Sequence, residues 1–360
     1  MKNFGFSHWI SKNRFLYQFI LTIISIIFVI SLSYLTVGLF SSPPSNQNSD
    51  TFIPLTEVPS TAETVETGIF ALNLYSLETA SNTFYLDFYI WFRWKGKLDP
   101  IANLEFSNAV EDWGATTVFD KTEPERLPDG KLYQLMRVER RFVQPFNLAR
   151  YPLDNQSLKV TIENSIYTLD KLVYVPDSKQ SGFSSNLSIP GWKIDNYDLI
   201  SLIREYTTNF GDSRLRDKSI KFSAIQYSLQ VSRPLNFFIW KLLLPLVIVL
   251  CSAWSALLLN PQYTDSRIIL PMTALLTTVF LQQSYSAGLP DIGYLILLDK
   301  IYALVYTLIM ATILEVIITA DWVVQNKVTD LTKVVRQDRL ILGIQVSVLV
   351  LGILLLVLLS

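Results

Sequence analysis

Two residue types are almost missing from this chain. It has one cysteine, Cys251, and one histidine, His8. A single cysteine can close no intrachain disulfide and build no cysteine zinc cluster. A single histidine in the N-terminal tail removes histidine-based acid–base catalysis and most transition-metal sites. Charge is also scarce. Charged residues make up 17% of the chain, against about 25% in soluble domains. The net charge of −1 offers no attraction to nucleic acid. Nucleotide-binding and HExxH patterns are lacking, and no paired-carboxylate motif stands out. These absences predict a protein that is no enzyme and uses no cofactor or metal.

What the chain has in quantity is apolar residues, half of the total, gathered into long runs. One covers residues 15–40. Four more come after a long interval, at 234–259, 267–287, 293–320 and 340–359. A bilayer core about 30 Å thick needs about 20 apolar residues as helix, and each run supplies that. Lys2, Lys12 and Arg14 precede the first run and stay cytoplasmic by the positive-inside rule. Residues 1–40 therefore read as a signal anchor, or as an unusually long cleaved signal peptide. Both readings place the middle of the chain outside. Residues 41–64, which open with a Ser-, Pro- and Asn-rich stretch, are expected to be a linker. Lys327, Lys333 and Arg336 then fall in a cytoplasmic loop before the last run, with Arg339 just beyond it. The implied setting is a multi-pass membrane protein in contact with lipid, with its middle domain outside.

That middle domain, residues 65–233, alternates polar and apolar residues in short segments. In the segment 84–94, Phe84, Leu86, Phe88, Ile90, Phe92 and Trp94 share one face, and Tyr85, Asp87, Tyr89, Trp91 and Arg93 the other, as in a half-buried antiparallel strand. Residues 221–233 alternate similarly, with Phe222, Ala224, Tyr227 and Leu229 apolar. Gly96, Pro128-Asp129-Gly130 and Pro190-Gly191 mark turns. Many short strands without an amphipathic helix predict an antiparallel, Ig-like β-sandwich of about ten strands. With the helices of residues 234–360, the fold class is an α+β multi-domain membrane protein.

Several motifs in this order resemble those of the prokaryotic pentameric ligand-gated ion channels, in the superfamily of the animal Cys-loop receptors. Tyr151-Pro152-Leu153-Asp154-Asn155-Gln156 is similar to the family's FPFDxQ signature. Gln144 and Leu158 stand where animal members carry the loop cysteines. Arg233-Pro234 resembles the junction before the first pore-domain helix, and Leu244-Pro245 supplies the proline within it. The run from Leu289 through Pro290, Asp291, Ile292, Gly293 and Tyr294 to Leu295 resembles the linker after the pore helix. The likeness covers nearly all of residues 65–360 and leaves out the N-terminal anchor. It implies a homopentamer that passes monovalent ions and is opened by a small-molecule or ionic agonist.

The run 267–287 alone among the membrane runs carries many polar residues: Thr273, Thr277, Thr278, Gln282, Gln283, Ser284 and Ser286. Such groups should face protein or water rather than lipid. One seam at helical spacing joins Ile269, Thr273, Leu276, Phe280, Gln283 and Ala287. The family linker selects this seam and puts Leu276 at the gate position, where hydrophobic rings can close a pore by dewetting. The alternative is that the hydroxyls hold neighbouring helices together. Pro271 is expected to disturb the inner half of the helix. Asp265 would favour cations and Arg267 anions. In the family the matching basic residue turns back into protein, so the expectation is cation selectivity set by Asp265. Ser266 stands where cation channels usually carry an acid.

The resemblance places the agonist between subunits under the hairpin around residues 210–219. Candidates are Phe106, Ser165, Tyr167, Phe210 and Arg214 on one side, with Trp91, Arg93, Tyr133 and Arg137 facing them. The aromatics could cage a cation, the arginines could bind a carboxylate, and each aromatic could equally be sandwich packing. Coupling to the pore is expected through Glu78, Tyr151, Pro152, Asp154, Arg233, Pro290 and Asp291. Asp154 is the expected partner of Arg233, or else makes a local turn hydrogen bond. Glu315 lies inside a membrane run and should face another helix or a water cavity. Lys241 should reach to the interface. A non-conducting, membrane-anchored β-sandwich receptor is the rival reading. A transporter is disfavoured because no repeat relates the two halves.

Overall fold

The computed structural model describes residues 51–111, 115–208, 210–211, 219–324 and 331–359. The signal segment expected over residues 1–40 lies outside the described residues, as do Arg214, Arg216 and Lys327. The chain forms two units, a strand-rich one and a helical one.

The strand-rich unit is an antiparallel sandwich with two parallel pairings at one edge. Its five-stranded sheet has the order β1 (Thr51–Pro54), β12 (Lys193–Tyr206), β13 (Ile220–Ser232), β9 (Asn155–Thr168) and β4 (Leu104–Phe106). The second sheet runs β10 (Leu172–Pro176), β2 (Glu63–Glu78), β3 (Thr83–Trp94), β8 (Leu132–Val143) and β5 (Ala109–Val110). Onto it are added β11 (Gly182–Phe183), β6 (Thr116–Phe119) and β7 (Glu125–Arg126). The described residues thus hold thirteen strands rather than about ten, because two- to four-residue pieces escape a pattern search. One of them, β1, falls inside the stretch read as linker. Its four residues are exposed and pair with β12 at the sheet edge, where Pro54 is tolerated.

The alternation in β3 sets the core. Phe84, Leu86, Phe88, Ile90, Phe92 and Trp94 are all at most 3% exposed. Phe106 of the five-stranded sheet packs against Phe88 and Phe142 of the other, with ring centroids 6.0 and 6.3 Å apart. The opposite face of β3 is polar but not free. Asp87, buried, accepts two hydrogen bonds from Arg137 across the strand pair, at 2.8 and 2.7 Å, and one from Asn73 at 2.8 Å.

Four long helices complete the chain: α1 (Leu235–Leu258), α2 (Thr264–Ser286), α3 (Leu297–Val324) and α4 (Leu331–Leu359). All four are long and apolar enough to cross a membrane. A π-helical turn, Phe238–Leu243, precedes Pro245 in α1. It accommodates a residue that has no N–H and crowds the preceding turn. Four boundaries differ from the hydropathy reading by three residues or more, among them the end of α3 at Val324 rather than 320. The first turn of α2 begins at Thr264, before Arg267, and α3 begins at Leu297 rather than 293. The largest difference is in α4, which begins at Leu331 rather than 340, so Lys333, Arg336 and Asp338 are helical rather than loop. Charged residues hide this start from hydropathy, yet Lys and Arg are good helix formers. Gly352 of α4 lets it approach α3 closely, since a Cβ there would lie 2.7 Å from Leu304 Cδ2.

Asp87 yields a pH test. Burial alone would raise its pKa. The hydrogen bonds from Arg137 and Asn73 outweigh burial and hold the carboxyl below the usual carboxylate range. A depressed pKa contributes stability above the unfolded-state value, about 3.9, and that contribution is lost as pH falls through the folded-state value. Asp87→Asn is therefore expected to lower the unfolding temperature of the sandwich at pH 7. The gap to wild type should close below about pH 4. Thermal unfolding across a pH series checks this, and a gap that widens toward acid would contradict it.

Candidate functional site

Along α2 the seam expected from sequence falls on one side. Ile269, Thr273, Leu276, Phe280, Gln283 and Ala287 are all exposed in the single chain, with Leu276 at 58% and Phe280 at 61%. The buried side carries Arg267, Pro271, Ala274, Thr278 and Tyr285. Pro271 sits inside the helix without interrupting it. Three threonine hydroxyls donate back to their own helix: Thr273 to Ile269 O, Thr277 to Thr273 O and Thr278 to Ala274 O, at 2.8–2.9 Å. These hydroxyls are satisfied locally and bridge to no neighbouring helix among the described residues. The exposed arc is therefore a water-compatible strip with large apolar residues, Leu276 and Phe280, along its middle.

The inner end of α2 separates two opposite charges. Asp265 is exposed and lies one turn before Ile269, on the seam. Arg267 is 1% exposed and turned into the helical unit. Its Nη2 meets Asp338 Oδ2 at 2.8 Å, its Nε donates to Ala256 O at 2.8 Å and its Nη1 to Thr319 Oγ1 at 3.4 Å. Glu315, one helical turn from Thr319, is fully buried. Further out, Trp254 and Thr312 both donate to Gln345 Oε1, at 2.6 and 3.0 Å. Polar pairs thus join α1, α3 and α4 at two depths. Lys241 lies over the Phe237 ring, 5.6 Å from its centroid, and is exposed.

In the sandwich, strand register separates the agonist candidates into two groups. On the five-stranded sheet, β9 brings Ser165 and Tyr167 to the end where the β12–β13 hairpin begins, beside Phe222 and Tyr206. Phe210 is 66% exposed and meets Tyr206 edge-on at 5.3 Å. Sequence reading missed the centre of this group. Glu163 is buried and accepts hydrogen bonds from Arg204 Nη1 and Tyr206 Oη, both at 2.7 Å. The Arg204 guanidinium also lies over the Tyr206 and Phe52 rings, at 4.6 and 5.1 Å. Burial raises the Glu163 carboxyl above its usual range, against the opposing pull of Tyr206 and Arg204. A buried carboxylate beside aromatic faces is a cation site, and here an internal arginine occupies it. Phe106, by contrast, is engaged in the core between the sheets, with Arg140 over its ring at 5.2 Å.

The second group lies on the eight-stranded sheet, on one face of β3 and β8. Arg93 pairs with Asp177 at 2.5 Å and Glu66 at 2.9 Å, and Trp91 Nε1 donates to Asp177 at 3.1 Å. Arg137 is held by Asp87. Tyr133 stands opposite Arg93 in register. Both arginines are already bonded to carboxylates of their own sheet, which reduces what they can offer a carboxylate ligand.

Among the coupling candidates, Leu148–Asp154 belongs to the helical unit. Leu297 N donates to Ala149 O at 3.0 Å and Leu298 N to Tyr151 O at 3.2 Å. These bonds satisfy amides at the start of α3 that have no partner within the helix. Leu148 N donates to Tyr294 Oη at 3.1 Å. Tyr151, Pro152 and Asp154 are buried, Pro290 is half-buried and Asp291 exposed. Arg233 lies over the Trp192 ring, 4.0 Å from its centroid. Glu78 accepts a hydrogen bond from Ser81 at 3.0 Å.

No protein-family model matches the chain. It is similar to a proton-gated ion channel of Gloeobacter violaceus, 21% identical over 325 residues, 86% of this chain and 88% of that one. It is also similar to the gamma-aminobutyric acid receptor subunit beta of Lymnaea stagnalis, 27% identical over 52% of this chain and 36% of the relative. The beta-4 subunit of Gallus gallus is 24% identical over 70% and 54%. In sequence the chain is thus similar to ligand-gated ion channels of the Cys-loop receptor superfamily, and none of these relatives is named as an enzyme.

Proposed function

We propose that five copies of this chain form a homopentameric, cation-selective channel in a bacterial inner membrane. The sandwich lies on the periplasmic or extracellular side and the α3–α4 connection in the cytoplasm. The observation that carries the reading is the exposed strip of α2. Asp265, Ile269, Thr273, Leu276, Phe280, Gln283 and Ala287 are the proposed lining. Arranged around an axis, Leu276 and Phe280 make hydrophobic rings that gate by dewetting, and Asp265 makes an acidic ring at the inner mouth. A non-conducting anchored receptor has no use for such a strip.

The agonist is proposed to bind between neighbouring sandwiches. Ser165, Tyr167, Phe210 and Arg214 come from one subunit, and Trp91, Arg93, Tyr133 and Arg137 from the next. Since the Gloeobacter relative is named as proton-gated, an ionic agonist of that kind would act here on Glu163. Acid-evoked currents unchanged in Glu163→Gln would exclude it. Binding is passed to the pore through Glu78, Tyr151, Pro152, Asp154, Arg233, Pro290 and Asp291. Arg233 and Asp154 are proposed to interact, and additive effects of Arg233→Gln and Asp154→Asn in a double-mutant cycle would show that they do not.

Purified protein in planar bilayers under a salt gradient tests the whole reading. Wild-type reversal potential should follow the cation gradient, and Asp265→Asn should weaken that preference. Leu276→Ser should ease opening, because a polar ring wets more readily. Absence of any current, or reversal along the anion gradient, would contradict the proposal.

A further inference from the structure

The position of Arg267 raises a question of charge. It lies within the first turns of α2, near the helix N-terminus, where the helix dipole favours anions and disfavours cations. Its side chain is buried beside the apolar cluster of Ala256, Leu257, Val316 and Ile341. A guanidinium is stable there only with a full counter-charge. That charge comes from Asp338, 71 positions further along the chain on α4 and 0% exposed. Ala256 O and Thr319 Oγ1 complete the fork from α1 and α3. Asp265 needs none of this, because an acid in the first turn suits the dipole. At about 100° per residue, two positions put Asp265 and Arg267 on nearly opposite sides of α2.

We propose that Asp338 is a positioning residue for charge selection: it holds Arg267 inside the helical unit and so withholds a ring of positive charge from the inner mouth of the pore. The proposal rests on the pore reading of α2. Without the carboxylate, a carbonyl and a hydroxyl leave the guanidinium uncompensated. Its long, flexible stem then carries the charge to water. In the proposed pentamer that water is at the inner mouth, where five guanidiniums would oppose the Asp265 ring. Asp338 would thus tune selectivity from a helix that carries none of the proposed lining, without touching a permeating ion.

The experiment compares cation-over-anion permeability ratios of the full chain in planar bilayers. Wild type, Asp338→Asn, Asp338→Asn with Arg267→Gln, and Asp338→Glu are measured under one salt gradient. Asp338→Asn should lower the ratio several-fold. The double variant should return it to the wild-type value, because no cation remains to emerge. Asp338→Glu should stay near wild type. A merely structural role would change yield and leave the ratio alone. An unchanged ratio in Asp338→Asn, or an equal fall in the double variant, would overturn the positioning role. An anion-selective wild type would instead defeat the cation-selective reading of the pore. If Asp338→Asn fails to assemble, the charge exchange Arg267→Asp with Asp338→Arg keeps the pair in reverse and should assemble with cation preference. An exchanged protein that assembles no better than either single exchange, or that prefers anions, would also overturn the proposal.

Discussion

Arg267 can sit with 1% of its surface exposed because three helices supply oxygen to it: Asp338 from α4, Ala256 from α1 and Thr319 from α3. Removing one partner of such a pair leaves a buried charge, at a cost of about 3–5 kcal/mol. The fork therefore constrains rotation of α2 about its own axis. With Arg267 inward, Pro271, Ala274 and Thr278 are inward too. Asp265 and the strip from Ile269 to Ala287 are left facing outward. A rotation large enough to bury Leu276 would tear the guanidinium from its acceptors. The proposed lining of the pore and the hidden arginine are two consequences of one helix orientation.

The sandwich applies the same physics to another end. Cross-strand pairs, Arg137 with Asp87 and Arg93 with Asp177 and Glu66, neutralise arginines on the eight-stranded sheet. On the five-stranded sheet Arg204 occupies the cation position between Glu163 and the aromatic rings. That end of the sheet therefore carries its own internal counter-charge. In the helical unit, the bonds from the start of α3 to Ala149 and Tyr151 tie the segment between β8 and β9 to the helices.

Features that depend on local pattern were readable from the chain alone. The four membrane helices follow from apolar length, and the core face of β3 from strict alternation, residue for residue. The exposed seam of α2 followed from helical spacing once the Leu289-Pro290 linker fixed its phase. Features that depend on contacts between distant segments were not readable. Asp338 looked like part of a charged loop, because hydropathy cannot see the helix that Lys333 and Arg336 extend. Glu163 was passed over beside Ser165 and Tyr167, since nothing in the chain announces that Arg204 and Tyr206 pair with it across the sheet. The acids beside Arg93 and Arg137, likewise, are set by pairing between strands that no single segment announces. The short β1 was hidden by its length and by Pro54.

The orientation of α2 is the central claim, and cysteine accessibility tests it most directly. On a Cys251→Ala background, single cysteines from position 269 to 287 are exposed to a charged thiol reagent while current is recorded. The account predicts block at 269, 273, 276, 280, 283 and 287, with positions 271, 274, 278 and 285 protected. Block at the second set with protection of the first would contradict it.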